Sequence, residues 1–309
     1  MRTRVYIDGY NLYYGCLKRT SHKWLDLLAL FENHILPSIS VPGATSKSEL
    51  LGNPAIKFFT APILTQAAKS EDSIQCQERY HAALRAHQPE RVQVVCGYYS
   101  LTEARARAID PLAKKWPRYC PDVEVWKLEE KQSDVNLALH AFREAVMGEV
   151  DHLVIVTNDT DIEPALAMIR EHTGATIGLV IPTTGAREAN TSLAKYAHWV
   201  RKRIGEDELR ASQLPRVVQR ERRSVAKPDS WYAHPDILER ALSLGTARLG
   251  SRSKAFAWLG KANPNYGGQT PIDQIEAGNG DAVIRFMESQ ARAVADPQAA
   301  ELKTSSAAG

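Results

Sequence analysis

Cysteine is scarce in this chain. There are four in 309 residues, Cys16, Cys76, Cys96 and Cys120, spaced by 60, 20 and 24 positions. With no C-x-x-C pair, neither a zinc knuckle nor a dithiol redox site is indicated, and the thiols read as reduced and mostly buried. The nine histidines include no H-E-x-x-H pattern. No window approaches the ~18 apolar residues of a membrane span. Asp8 and Asn11 break the short apolar run that follows Arg2 and Arg4, so no secretory leader is read. The chain is expected to be cytoplasmic, with no membrane partner. Neither sign of charge dominates: 24% of residues are charged and the formal net charge is +3. With 44% apolar residues, disorder, a collagen-like chain and a disulfide scaffold are excluded. No G-x-G-x-x-G follows a strand and no G-x-S-x-G elbow exists, while Gly245–Ser251 has P-loop glycine spacing without the lysine. No internal repeat is visible.

What is present is an alternation. Runs rich in Val, Ile, Phe and Tyr occur at Arg4–Asp8, Ala55–Ala61, Val92–Ser100, Val123–Leu128, His152–Thr157 and Thr176–Ile181. Helical periodicity occurs at Trp24–Leu36, Asp72–His87, Ser133–Met147 and Asp161–His172. Strands of which several are apolar almost throughout, alternating with helices, predict a parallel α/β sheet covered on both faces. Pro42–Pro54 reads as a surface loop. Leu101–Pro121 is locally basic, with Arg105, Arg107, Lys114, Lys115 and Arg118 against Glu103 and Asp110. Tyr98, Tyr99 and Trp116 beside it read as core packing, with stacking on a single strand as the alternative. Arg201–Lys227 carries nine Lys/Arg against four acids and reads as a basic linker or arm. Beyond it four helices are expected, at Pro235–Leu244, Ser253–Lys261, Pro271–Gly278 and Asp281–Ala293. Thr270 caps the third, ahead of Pro271 at its first position. The expected division is an α/β domain over 1–204, a basic linker over 205–231, a small all-helical domain over 232–295 and a frayed tail over 296–309.

Three stretches carry carboxylates at strand ends or helix starts. Val5-Tyr6-Ile7-Asp8-Gly9-Tyr10-Asn11 runs a strand into Asp8, and Val154–Asp161 runs another into Asn158, Asp159 and Asp161. Thr160 with Glu163 has capping-box spacing and Asp161 could itself cap, which leaves Asp159 without a structural reason. In Lys131-Gln132-Ser133-Asp134, Ser133 as the cap puts Asp134 in the first helical turn. Ligands of open α/β sheets bind outside the carboxyl ends of the strands. Asp8, Asp134, Asp159 and Asp161 would all lie at that edge. So many carboxylates need a counter-charge, and Mg²⁺ or Mn²⁺ would supply it. Two such ions about 4 Å apart suit phosphodiester hydrolysis. In that scheme Asn11 orients a ligand, and Lys131, with Asn158, Arg105 and Arg107, holds the substrate.

At these residues the chain resembles the NYN domain of the PIN-like nuclease superfamily. I-D-G-Y-N, K-x-x-S-D-V-N-L-A-L and V-T-N-D-T-D-I-E-P come in the family's order over residues 1–200. The resemblance implies an Mg²⁺- or Mn²⁺-dependent ribonuclease with metal ligands at Asp8, Asp134 and Asp159, Asp161 close by, and Asn11 beside them. Many relatives carry an acid six residues after the middle aspartate, where this chain has His140. Ala257-Trp258-Leu259-Gly260, Asn263-Pro264, Gly267-Gly268, Thr270-Pro271 and Gly280–Val283 are similar to the toxin-binding domain of the MbcA/ParS/Xre antitoxin family. That similarity implies a protein partner or self-association. The leading expectation is therefore an endoribonuclease acting on RNA. The second is a non-catalytic binding component of a toxin–antitoxin-like or defence system. The third, from an oxidoreductase label carried by some relatives, is an enzyme acting on a hydroxylated pyridine.

Overall fold

The computed structural model describes residues 1–43, 47–68, 70–109, 115–185, 190–220 and 223–295, with side chains to residue 290. The expected tail lies outside the described residues, as do Asp110, Lys114, Glu221 and Arg222 of the basic segments. The chain divides into two compact units at Lys227/Pro228. No described helix is long and apolar enough to cross a membrane. All four cysteines are free, with Cys16, Cys76 and Cys120 buried and Cys96 exposed.

The first unit is built on a parallel sheet. Its strands are β1 (Arg2–Asp8), β2 (Glu49–Leu50), β3 (Ile56–Thr60), β4 (Val92–Cys96), β7 (His152–Val156), β8 (Thr176–Val180) and β9 (Trp199–Arg201). The order is β4-β3-β1-β7-β8-β9, with β2 alongside the start of β1. Every residue of β3 and β7 is buried, as in a sheet covered on both faces, Lys57 of β3 included. Helices Ser133–Val146 and Glu163–His172 cover one face, packing Leu137, Ala141, Leu166 and Ile169 against Tyr6, Phe59, Leu153 and Ile155. On the other side Tyr80, from helix Glu71–His87, meets Phe58 edge-on at 6.4 Å and lies 6.1 Å from Trp24. The order reverses between β1 and β7, and a sheet of this kind opens its crevice at that point.

Several expectations are corrected. Val123–Leu128 does not join the sheet. It lies in β6 (Asp122–Lys131), which pairs antiparallel with β5 (Tyr98–Arg107) in a two-stranded ribbon running from Tyr98↔Lys131 to Arg107↔Asp122. Asp122, Glu124, Lys127 and Glu129 are charges that a sheet covered on both faces would have to strip of water. Tyr98 and Trp116 are exposed rather than core, Trp116 by 72%. The helix expected over Trp24–Leu36 is a short turn at Leu27–Ala29, a π-helical stretch at Leu30–Ile35 and a tight turn at Leu36–Ser38. Within 205–231 the chain forms helix Glu206–Ala211 and a pairing of Val217–Val218 with Val225–Ala226.

The second unit holds helices Pro235–Leu249, Arg252–Leu259, Pro271–Glu276 and Gly280–Ala295. Leu238, Leu242, Leu259, Ile272, Ile275 and Val283 form its core. Thr270 Oγ1 accepts from Asp273 N at 3.1 Å and Asp273 Oδ2 accepts from Thr270 N at 3.1 Å, a reciprocal cap ahead of Pro271. A Cβ on Gly245 would stand 2.8 Å from the Ala255 Cβ, so that glycine serves helix packing rather than a phosphate loop.

Candidate active site at the sheet switch point

Asp8 ends β1 nearly buried, and its environment is filled by its own neighbours. Its Oδ1 accepts from Asn11 N at 2.9 Å, and its Oδ2 accepts from Asn11 Nδ2 at 2.6 Å and from Thr157 Oγ1 at 2.8 Å. Thr157 follows β7, so this last bond ties the two strands together where the sheet order reverses. Asn158 N donates to Asn11 Oδ1 at 3.4 Å, and Asn158 Oδ1 accepts from Asn190 N at 2.9 Å. Asn11 and Asn158 thus brace the crevice walls.

Asp159 does have a structural role, contrary to the sequence reading. Its Oδ1 accepts from Asp161 N at 3.1 Å and caps the turn Thr160–Ile162. Asp161 is exposed beside an open hollow of about 570 Å³ lined also by Glu163, Pro164, Ala167 and Tyr196.

Asp134 enters from the start of helix Ser133–Val146. The helix is preceded not by a capping Ser133 but by Gln132 in the left-handed region, at φ 76°. Gln132 turns the chain sharply out of β6, at a backbone cost of about 1 kcal/mol. Gly97, between β4 and β5, lets this turn approach: a Cβ there would lie 2.2 Å from the Lys131 carbonyl and 2.8 Å from Ser133 Oγ. Burial, with Asp8, Asp159, Glu130 and Asp161 nearby, pushes the Asp134 carboxyl up to about 7. Burial likewise raises Asp8, against the pull of its hydrogen bonds, and raises Glu130. The structure therefore brings Asp8, Asp134, Asp159 and Asp161 into one electrostatic neighbourhood and adds Glu130, which the sequence reading missed.

These groups are not arranged as a metal cage. Among the described residues, no three His, Cys, Asp or Glu side chains stand close enough to hold one ion. The oxygens of Asp8 and the Oδ1 of Asp159 are engaged as hydrogen-bond acceptors. As placed, the expected ligands do not fit a shared Mg²⁺ or Mn²⁺. His140, at the position of the family's further acid, faces elsewhere. Its Nδ1 accepts from Lys57 Nζ at 2.9 Å, and its ring stands edge-on to Phe59. Lys57 and Arg4 both pair with the buried Glu144, which also accepts from Tyr6 Oη at 2.6 Å. Sequence patterning gave no sign of this ion cluster, because its members lie on three different elements.

The expected substrate cations are not gathered at the crevice. Lys131 Nζ is bonded to Glu129 Oε2 at 2.9 Å. Arg105 pairs with Glu124 at 3.8 Å and Arg107 with Asp122 at 3.3 Å, both along the ribbon. Six residues of strand, about 20 Å, separate Arg105 from Tyr99. Five acids together, with Lys131, Arg105 and Arg107 each paired to a carboxylate of the ribbon, oppose a polyanion.

It does have an aromatic wall. Tyr10 and Tyr14, four apart on the turn that follows β1, have ring centroids 4.4 Å apart, and Tyr13 stands edge-on to Tyr14 at 5.2 Å. Burial, the Tyr14 hydrogen bond and Glu130 raise Tyr10 to about 12. Burial and the neighbouring Glu130, its cross-strand partner in the ribbon, raise Tyr99 as well. The Y-N-L-Y-Y-G run was the signal in the sequence.

The NYN domain family profile matches residues 2–200. That match stops short of the second unit and leaves the antitoxin-like resemblance unshown. A protein of Pseudomonas putida (strain DSM 28022 / S16) named 6-hydroxy-3-succinoylpyridine 3-monooxygenase HspA is 49% identical over 295 residues, 94% of this chain and 94% of that protein. A span of that length takes in most of the second unit as well. The name corrects the leading expectation: so close and complete a relative is an oxidoreductase, which overturns both the metal-dependent endoribonuclease and the non-catalytic binding component. A solved protein of unknown function from Vibrio parahaemolyticus is 17% identical, covering 67% of this chain and 94% of its own with a TM-score of 0.35, and nothing is drawn from it. The match over residues 2–200 and the near-full-length relative together place the chain in the NYN domain family.

Proposed function

We propose that this chain is an oxidoreductase that hydroxylates a hydroxylated pyridine bearing a short acid side chain, with 6-hydroxy-3-succinoylpyridine as its substrate. The observation that carries this reading is the 49% identity to a monooxygenase of that name, over 94% of both chains. In such a reaction one atom of O₂ enters the product and the other leaves as water, with two electrons from a reduced nicotinamide or flavin. The turn Asp8-Gly9-Tyr10-Asn11 lacks the glycine spacing that lets a backbone cradle a pyrophosphate, so it does not fit a resident dinucleotide. The residues of the crevice bind and orient the substrate. Asp134 and Glu130 are acceptors for a ring N–H or hydroxyl, and Asn11 and Thr157 hold Asp8 in place behind them. We assign the helical unit from Pro228 to contact with a protein partner or a second copy, on its motif resemblance.

The test is turnover of 6-hydroxy-3-succinoylpyridine under ¹⁸O₂ with NADH, NADPH or reduced flavin. One labelled oxygen in the product is expected. A product labelled from H₂¹⁸O instead, or an unchanged substrate with every donor, would overturn the reading.

A further inference from the structure

The ribbon of β5 and β6 is explained neither by the core nor by the crevice. Every residue of β6 from Asp122 to Leu128 is exposed, and β5 is exposed or half-buried along its whole length. A two-stranded ribbon by itself is at best marginally stable in water. Half of the large apolar side chains exposed among the described residues lie between Tyr98 and Leu128, with Trp116 and Trp126 foremost. Apolar exposure gathered on one feature marks an interaction surface. Among the described residues β5 pairs with β6 alone, so the N–H and C=O groups along its other edge have no strand partner. Such an edge is a template for a further strand, and proteins blunt it with proline, bulges or brevity. β5 is ten residues long and has neither proline nor glycine.

We infer that the free edge of β5 is a contact between two copies of this chain, which pair antiparallel about a two-fold axis at Ala104 to give a four-stranded sheet. The charges along β5 select both the occupant and the register. A two-fold axis sets residue i opposite j and j opposite i. With the axis at Ala104, Glu103 stands opposite the partner's Arg105, and Arg105 opposite the partner's Glu103. An axis one residue earlier sets Glu103 against itself, and one residue later sets Arg105 against itself. Opposite charges directly across an antiparallel pair stabilise it, and like charges oppose it. Arg105 lies 3.8 Å from Glu124 within the ribbon, and both side chains are largely exposed, so this contact is weak and can be shared with a second carboxylate. Ala104 is opposite Val125 within the ribbon, so the two-fold also lines up Val125, Ala104, the partner's Ala104 and the partner's Val125 as an apolar row across all four strands. On β6 the comparable match, Lys127 with Glu129 about Leu128, is already made within the strand at 2.6 Å.

Sedimentation velocity of the full chain, from micromolar to submillimolar concentrations, tests this. Pairing from Leu101 to Arg107 makes a small interface, so a reversible dimer with a Kd on the order of ten micromolar is expected. The variants are made with Glu124→Gln, which removes the acid across the ribbon from Arg105 and should itself leave the dimer unchanged. Glu103→Arg or Arg105→Glu then sets like charges together at both symmetry-related contacts and should weaken the dimer at least about tenfold. Glu103→Arg with Arg105→Glu restores opposite charges and should return the Kd to within about threefold of the parent. Glu103, Arg105 and Glu124 are exposed, so the variants should fold, which circular dichroism verifies. A parent chain that stays monomeric over the whole range, or that grows into open-ended oligomers, would overturn the pairing. So would a dimer that neither single variant weakens, or a double variant no tighter than the singles.

Discussion

Asp134 is half-buried among Asp8, Glu130, Asp159 and Asp161, and its carboxyl is raised to about 7. The native chain therefore holds a proton there that the unfolded chain releases above pH ~4. Where the native state binds more protons, stability falls as pH rises, so this group costs stability progressively from about pH 4 to about pH 7. Asp134→Asn carries no such charge. The wild type is expected to lose about 1–2 kcal/mol more than the variant between those pH values, after allowance for solvent screening at a half-exposed site. Urea midpoints at pH 4.5 and 7.5 measure it, and parallel losses in the two proteins would refute the coupling. The aspartates were legible as residues, but their partners were not. Asp159 looked free of structural duty until its bond to the Asp161 amide was in view.

At the scale of elements, the turn Gly9–Leu17 does the most for the site. It carries Asn11 against Asp8, and Tyr10 and Tyr14 as a wall. It packs tightly at Gly15 against the chain that follows β8. Gly15→Ala places a methyl against the Pro182 carbonyl, so the turn must shift. A loss of about 1–3 kcal/mol is expected from this overpacking, read as a lower thermal midpoint. An unchanged midpoint would mean the turn is slack. The strands β1, β3, β7 and β8 were legible because each has a run of consecutive apolar residues, such as Val5–Ile7 and Leu153–Val156. β6 was misplaced because a run such as Val123-Glu124-Val125-Trp126 has the same local pattern in a ribbon as at a sheet edge. β9, three residues long, was too short to register.

At the scale of the molecule, each unit has its own core. The second unit's centres on Leu238, Leu242, Leu259, Ile272 and Val283. Residues 228–309 expressed alone are expected to give a helical circular dichroism spectrum and a sigmoidal melt, although a unit of this size is near the lower limit for a self-sufficient core. A broad, non-cooperative melt would show that this core needs the remainder of the chain. The division at Lys227/Pro228 falls later than the composition change at Ile204, because the basic stretch between them forms its own helix and strand pair.

The sequence by itself determined the alternation of strands and helices, the helical character of the C-terminal unit, and the position of Asp8 and Asp159 at the carboxyl ends of two neighbouring parallel strands. These follow from local periodicity and from the rule that loops at the carboxyl ends of parallel strands face one crevice. Only the tertiary structure decided what the carboxylates do. Whether four acids chelate an ion or spend their oxygens on backbone amides and hydroxyls depends on separations of a few ångströms between elements far apart in the chain. So does the meeting of Arg4, Lys57, His140 and Glu144, which took His140 out of the site. Tyr10 and Tyr14 were adjacent in the sequence all along. Their stacking, 4.4 Å between ring centroids, arises only when the chain after β1 winds into a helical turn.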